Sequence, residues 1–246
     1  MRDSPLRNPI VGALVVVALG LPVMLAARAA SEKAAPPTRH GPVEVTFVLT
    51  AGANVVDFTG PWEVFQDVYL PEMGEVAAFH LYTISDAKEP LTLTGGLRVL
   101  PDHTFAESPK ADIVVVGAQR GSDAMLAWLK TARGHAEVVM SVCTGAFKLA
   151  KAGLLDGKEA TPHHDFFEKF AHDFPQVRLV RGRRWVESAK GLYTAGGLTS
   201  GIDLALHVVA SYYGDGAAER AAAYMEHGGG GWKDATATTV ASRGSR

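Results

Sequence analysis

A doubly wound α/β fold, with a mainly parallel sheet and helices on both faces, is predicted by three features of this 246-residue chain. Short apolar runs such as Asp112 to Val116 and Glu137 to Val142 lack a polar face and read as strands buried on both sides. They alternate with helix-like stretches, the βα order that parallel sheets use. At Ser141-Val142-Cys143-Thr144-Gly145 a strand runs directly into a helix, with the chain's single cysteine at the seam.

The N-terminal residues 1–30 stand apart from that fold. Arg2 and Arg7 form a basic start, Asn8 to Ala27 is uncharged, and Ala27-Arg28-Ala29 is a small-x-small cleavage pattern, so an export signal is expected. The chain would then work in a periplasmic or other extracytoplasmic compartment. The apolar stretch is long, and an uncleaved anchor in the inner membrane is the alternative. Residues 31–42, with three prolines, read as a linker, and residues 43–227 as one domain.

Within the domain, Val43 to Leu49 is a first strand. A helix is expected to start with Gly60 as cap and Pro61 in its first turn, burying Trp62, Phe65 and Tyr69. Phe79 to Ser85 alternates as a strand, and Leu91–Thr94 and Leu97–Leu100 form a hairpin across Gly95-Gly96. Asp112 to Val116 is a strand and Asp123 to Arg133 a helix capped by Ser122 or Asp123. After the cysteine comes a short helix stopped at Gly153, a strand over Lys158–Thr161 and an amphipathic helix over Asp165–Phe174. Three short strands follow (Arg178–Val180, Arg184–Glu187, Leu192–Ala195), then helices over Ile202–Tyr213 and Ala217–His227. Residues 228–246, rich in Gly, Ala, Thr and Ser, read as a disordered tail.

A formal charge of −2 provides no basic footprint and disfavours nucleic acid as a partner. One cysteine excludes an internal disulfide and leaves two readings, a small buried hydrophobe or a thiol kept for chemistry. The strand-to-helix position favours the second. This is the geometry of a nucleophile elbow, and a helix N-terminus is expected to lower the thiol's pKa below about 8.5. Gly196 to Gly201 lacks the Lys-Ser/Thr of a phosphate loop. His163-His164 in an extended segment would point opposite ways with no clear third ligand, so neither nucleotide nor metal cofactor is expected. In a parallel sheet, ligands bind beyond the carboxyl ends of the strands. Asp57, Gly117 and Cys143 follow three such ends, and the N–H groups of Gly117, Ala118 and Thr144 are candidates for an anion-stabilising pocket.

The segments Asp57-Phe58-Thr59-Gly60-Pro61, Ser141-Val142-Cys143-Thr144-Gly145-Ala146, Ala152-Gly153-Leu154-Leu155-Asp156-Gly157, Ala160-Thr161-Pro162-His163 and Thr199-Ser200-Gly201-Ile202-Asp203-Leu204 together resemble the ThiJ/PfpI superfamily. The resemblance covers roughly Val43 to Tyr213 and implies a flavodoxin-like, class I glutamine amidotransferase-like fold. It is strongest to isonitrile hydratases and to the amidotransferase-like domains of AraC-type regulators. It implies catalytic roles for Cys143, Thr144 and Asp57, a histidine near the nucleophile at His163, a small-molecule substrate and a homodimer. Two departures stand out: Gly117-Ala118 where a glycine pair is usual, and Pro162-His163-His164 in place of Thr-His-Trp.

The leading reading is a cysteine-dependent enzyme that hydrates or hydrolyses a small carbon–nitrogen substrate, with Asp57 as general acid and base. Asp57 as a mere turn cap, with Glu63 as the working carboxylate, is the competing assignment. The rival class is a non-catalytic ligand-sensing domain or a redox-responsive, stress-protective thiol protein.

Overall fold

The computed structural model describes residues 41–74 and 76–235. The export signal or anchor in 1–30, nearly all of the linker and the last part of the tail fall outside the described residues. Among the described residues no helix is long and apolar enough to cross a membrane.

The chain runs β1 (Val43–Val48), α1 (Val55–Gln66), β2 (Phe79–Ser85), β3 (Leu91–Thr92), β4 (Arg98–Val99), β5 (His103–Thr104) and β6 (Ile113–Val116). It continues through α2 (Asp123–Arg133), β7 (Val138–Val142), α3 (Gly145–Lys151), β8 (Glu159–Ala160), α4 (Phe167–Asp173) and β9 (Arg178–Leu179). The last elements are β10 (Trp185–Ala189), β11 (Leu192–Ala195), α5 (Thr199–Tyr213) and α6 (Asp215–Tyr224). Seven strands form one sheet in the order β10-β11-β7-β6-β1-β2-β5. Every pairing in it is parallel except that of the edge hairpin β10–β11. The central order is the flavodoxin-like one, and its direction reverses between β1 and β6.

The predicted sandwich is present. Val43, Val45 and Phe47 of β1 pack with Val64, Phe65, Leu204, Val208 and Ala221, which places α1, α5 and α6 on one face. Val114 and Val116 of β6 pack with Met125, Leu129, Leu149 and Phe170, which places α2, α3 and α4 on the other. Such strands are apolar on both sides because both faces are covered.

Several local expectations are corrected. Helix α1 starts six residues before Pro61: the Asn54 side chain accepts from the Val56 and Asp57 N–H groups at 3.1 and 3.3 Å, and Pro61 lies inside the helix. An interior proline removes one helical hydrogen bond, and burial of Val64, Phe65 and Gly60 in the surrounding face holds the helix together. Tyr69, expected in the core, lies beyond the helix and is exposed, while Trp62 is half-buried against Phe47, 5.0 Å between ring centres. The hairpin β3–β4 turns through Thr94–Gly96 instead of two glycines alone, and buries Leu93 against Leu49 and Ala53 beside the β1–α1 turn. The helix expected over Asp165–Phe174 is a 3₁₀ turn at His164–Phe166 followed by α4.

The tail is corrected most. The segment from Gly228 to Ala235, read as disordered from its glycines, packs back on the domain. Trp232 is buried, the Trp185 Nε1–H donates to the Gly231 carbonyl at 2.9 Å, and the Arg184 N–H donates to the Ala235 carbonyl at 2.8 Å. The indole is the anchor that the composition of this stretch concealed. Trp232→Ala is therefore expected to cost about 3–5 kcal/mol in urea denaturation, the usual price of deleting a buried Trp. A change within about 0.5 kcal/mol, as for an exposed position, would show the segment to be unanchored.

Candidate active site

Cys143 follows the last residue of β7 and has φ +61, in the left-handed region that costs an L residue about 1–2 kcal/mol. It is held there by its neighbours. Its N–H donates to the Ala195 carbonyl at 3.1 Å and to the Gly196 carbonyl at 2.8 Å, tying the turn to the end of β11. Two residues on, a Cβ at Gly145 would lie 2.1 Å from the Val116 carbonyl oxygen. Only glycine lets α3 begin so close to the end of β6, and that approach sets the elbow.

Asp57 comes from the first turn of α1 and is fully buried. Its Oδ2 accepts the Ala118 N–H at 2.9 Å, and the carboxyl also interacts with the Leu198 N–H and the Cys143 side chain. Oδ1 has no hydrogen bond of ordinary geometry. A Cβ at Gly117 would lie 2.8 Å from the Asp57 Cβ, so a glycine there is what admits the carboxyl between β1 and β6. Gln119 braces the same two loops: its Oε1 accepts the Thr50 N–H at 2.6 Å and its Nε2 donates to the Val48 carbonyl at 2.9 Å.

Burial pushes the Asp57 carboxyl above the usual carboxylate range, against the pull of the two backbone N–H groups and the thiol. Burial, then the Asp57 charge, pushes the Cys143 thiol up to about 12; the Thr144 N–H acts the other way, and Asp165 adds a small upward push. This corrects the expectation of a thiol activated by the helix N-terminus. Helix α3 has seven residues and offers little dipole, whereas the thiol is only 7% exposed and faces a carboxyl. Two acids that face one another and both hold their protons more tightly than usual titrate as a pair.

The other expected residues divide. Thr144 is half-buried at the start of α3 and its hydroxyl makes no cap hydrogen bond, leaving it available to a bound molecule. The Ala118 N–H is already taken by Asp57, which removes it from an anion pocket unless Asp57 releases it. Glu63 is exposed and its charge falls on Asp67, so it is not brought to the pair. His163 lies against Gly197, where a Cβ would sit 2.0 Å from its Cδ2. Its Nδ1 accepts the Asp165 N–H at 3.2 Å, and burial followed by His164 lowers its pKa, so it is a neutral ring with its proton on Nε2. Among the described residues it forms no hydrogen bond with Cys143 or Asp57, and it is a wall of the site.

His163 and His164 do not point apart as expected. A 3₁₀ turn begins at His164, and the rings stack with centres 4.4 Å apart and planes 23° from parallel. Their nitrogens and an Asp165 oxygen lie within 4.8 Å of one another. An imidazole binds an ion in its own plane at about 2.0–2.1 Å, and two nearly parallel stacked rings cannot both aim at one ion, so the cluster does not fit a metal.

Leu198 is the site residue that sequence reasoning missed. It has φ +52 and ψ −105 ahead of α5, a conformation suited to glycine, and it supplies an N–H to Asp57. Nothing in a leucine announces that role; the Gly196-Gly197 pair before it was the only local sign of an unusual turn.

A cysteine in left-handed backbone at a strand-to-helix elbow, beside a buried carboxyl at the reversal point of a flavodoxin-like sheet, defines the class of cysteine-centred elbow proteins. The chain belongs to the DJ-1/PfpI family, whose pattern matches residues 43–211. It is 29% identical over 192 residues to isonitrile hydratase from Pseudomonas putida, covering 75% of this chain and 78% of that one. It is 25% identical over 184 residues to the HTH-type transcriptional regulator GbdR from Pseudomonas aeruginosa, covering 73% of this chain and 49% of the regulator, so it spans about half of that protein's length. A crystal structure of a ThiJ/PfpI family protein from Pseudomonas syringae superimposes with a TM-score of 0.64 at 26% identity, covering 77% of this chain and 76% of that one.

The coupling has a measurable sign. Because burial raises the Asp57 pKa, the folded chain keeps a proton that the unfolded chain releases near 3.8. Stability therefore falls as pH rises from about 4 through the folded value, and the ionised carboxylate is a cost at neutral pH. Asp57→Asn is expected to be more stable than wild type at pH 7.5 in urea denaturation, with the gap closing toward pH 4. The same substitution removes the charge facing the thiol, so alkylation of Cys143 by iodoacetamide is expected to become faster at pH 7.5, while wild type reacts slowly below about pH 9.

Proposed function

We propose that this chain is a cysteine-dependent enzyme of the isonitrile hydratase type, adding water to a small carbon–nitrogen substrate. The observation that supports the reading is the Cys143 thiol facing a buried Asp57 carboxyl, a nucleophile and a proton carrier that shift one another's ionisation. The similarity to isonitrile hydratase favours the substrate class.

The chemistry follows from the pair. Asp57 takes the thiol proton, and the thiolate attacks the terminal carbon of R–N≡C, forming the C–S bond. The carboxyl returns its proton to that carbon, giving the thioimidate R–N=CH–S. Asp57, again a carboxylate, accepts a proton from water as the water oxygen adds to the same carbon. The proton passes to nitrogen, the C–S bond breaks as the added hydroxyl becomes the carbonyl, and that hydroxyl's proton goes to the departing sulfur, leaving R–NH–CHO and free enzyme. The sum is R–NC plus H₂O. Thr144 would orient the water through its hydroxyl, and His163 bounds the space for R. We carry an exported location and a homodimer as parts of the same proposal.

A ligand-sensing domain is the second reading, supported by the match to GbdR and by a thiol that is only 7% exposed. Turnover of a panel of isonitriles, followed as formamide production, separates the two. Cys143→Ser is expected to abolish it and Asp57→Asn to lower it by about 10²–10⁴-fold, the size of losing a general acid–base group. Glu63→Gln is expected to leave it unchanged. Ligand binding without turnover in wild type would favour the sensor, and loss of activity in Glu63→Gln would move the carboxylate role away from Asp57.

A further inference from the structure

Outside the pair, the most heavily buried charged cluster among the described residues lies on the first turn of α5. Asp203 is 1% exposed, and its two oxygens are divided between two partners: Oδ2 accepts from the Arg184 Nε–H, and Oδ1 is 2.9 Å from the His227 Nε2. The Arg184 guanidinium also reaches Thr199 Oγ1 through Nη2 at 3.2 Å. One planar side chain thus joins the first and fifth residues of α5, a use that a single ammonium cannot replace.

The backbone of Arg184 is committed as well. Its carbonyl accepts the Gly196 N–H at 2.8 Å, and its N–H donates to the Ala235 carbonyl at 2.8 Å. A Cβ at Gly231 would lie 2.7 Å from both the Arg184 Cδ and the Asp203 Oδ2, so the returning C-terminal segment closes directly over the cluster. Two of these contacts, to the Gly196 N–H and to Thr199 Oγ1, bracket the stretch Gly196 to Thr199. Gly196 supplies a carbonyl to the Cys143 N–H, and Leu198, in its unfavourable backbone conformation, supplies an N–H to Asp57. A strained turn keeps its shape only where its surroundings over-determine it, and α5 has no side-chain cap at Leu198 to do so.

We infer that Arg184 is a positioning residue for the Asp57–Cys143 pair: with Asp203 and the returning C-terminal segment it fixes the first turn of α5, and so holds the preceding turn, in which the Gly196 carbonyl accepts the Cys143 N–H at 2.8 Å and Leu198 lies beside the Asp57 carboxyl. The inference rests on the pair being the chemical centre, as proposed above, but its test needs no substrate.

The groups facing Asp57 are the Ala118 N–H, the Leu198 N–H and the thiol; those facing the thiol are Asp57, Asp165 and the Thr144 N–H. Withdrawing the Leu198 N–H weakens the ionised form of Asp57. The carboxyl then keeps its proton to higher pH and opposes the neighbouring thiolate less, so the thiolate gains population at neutral pH.

The test is the pH profile of Cys143 alkylation by iodoacetamide in the full chain. Arg184→Lys, which keeps a cation beside Asp203 but gives up the fork to Thr199, is expected to raise the rate at pH 7.5 about threefold or more. Thr199→Val, which removes only the acceptor at the start of α5, is expected to move the profile the same way by less. In an Asp57→Asn background Arg184→Lys is expected to add nothing, because no carboxylate remains to be released. A wild-type profile in Arg184→Lys overturns the inference, and so does an equal effect with and without Asp57, which would mark simple loosening of the domain. If Arg184→Lys does not fold, Thr199→Val decides: an unmoved profile overturns the inference. Failure of isonitrile turnover with these shifts intact would count against the proposed substrate and leave the positioning role standing.

Discussion

A carboxyl buried beside a thiol is the constraint to which the rest of this structure answers. Both groups are largely withdrawn from solvent, and both hold their protons more tightly than they would in solution. The fold makes the encounter possible by bringing four chain segments to the carboxyl end of the sheet: the start of α1, the turn after β6, the elbow after β7 and the turn before α5. Three contacts on this end are so close that no side chain fits. They are Gly117 against Asp57, Gly145 against the Val116 carbonyl and Gly197 against His163. The desolvation of Asp57 is offset in part by the Ala118 and Leu198 N–H groups, each supplied by backbone and therefore by the shape of a loop.

The parts of this arrangement that rest on apolar pattern were legible in the sequence. Continuous apolar strands with intervening helices led to the parallel sandwich, and a cysteine between β7 and a small-residue turn led to the elbow. Asp57 was legible as a site residue through its motif, although its helix was started too late. Pro61 has the pattern of a first-turn proline, whereas the cap that starts α1 is Asn54. What stayed hidden depends on long-range contact. Trp232 reads as part of a glycine-rich tail until the core receives it, and Leu198 has no sequence mark of left-handed backbone. The thiol's ionisation was read with the wrong sign because a helix N-terminus is visible in sequence and burial against Asp57 is not.

The relatives of this chain are proteins of different kinds. The chain is similar over its domain both to an isonitrile hydratase and to an HTH-type transcriptional regulator, so the fold alone does not choose between chemistry and sensing. The choice lies in whether the pair can exchange a proton and in what the walls admit. Here the walls include a histidine kept neutral by burial, its Nδ1 accepting the Asp165 N–H and its ring stacked on His164, a residue that departs from the resembled pattern. Behind them, Arg184, Asp203 and the returning C-terminal segment lock the turn that contacts Asp57, so residues far along the chain bear on one proton.

The central claim is that Asp57 and Cys143 titrate as one buried pair. Isotope-edited infrared spectroscopy of the aspartate carboxyl, as the wild-type minus Asp57→Asn difference, tests it most directly when recorded with the ultraviolet absorbance of the thiolate across the same pH series. The account predicts a carboxylic acid band that persists well above pH 4, and a thiolate signal that is absent at pH 8.5 in wild type and displaced to lower pH in Asp57→Asn. A band lost near pH 4, with thiolate appearing near pH 8.5 in both proteins, would be the behaviour of two independent, solvated groups and would contradict it.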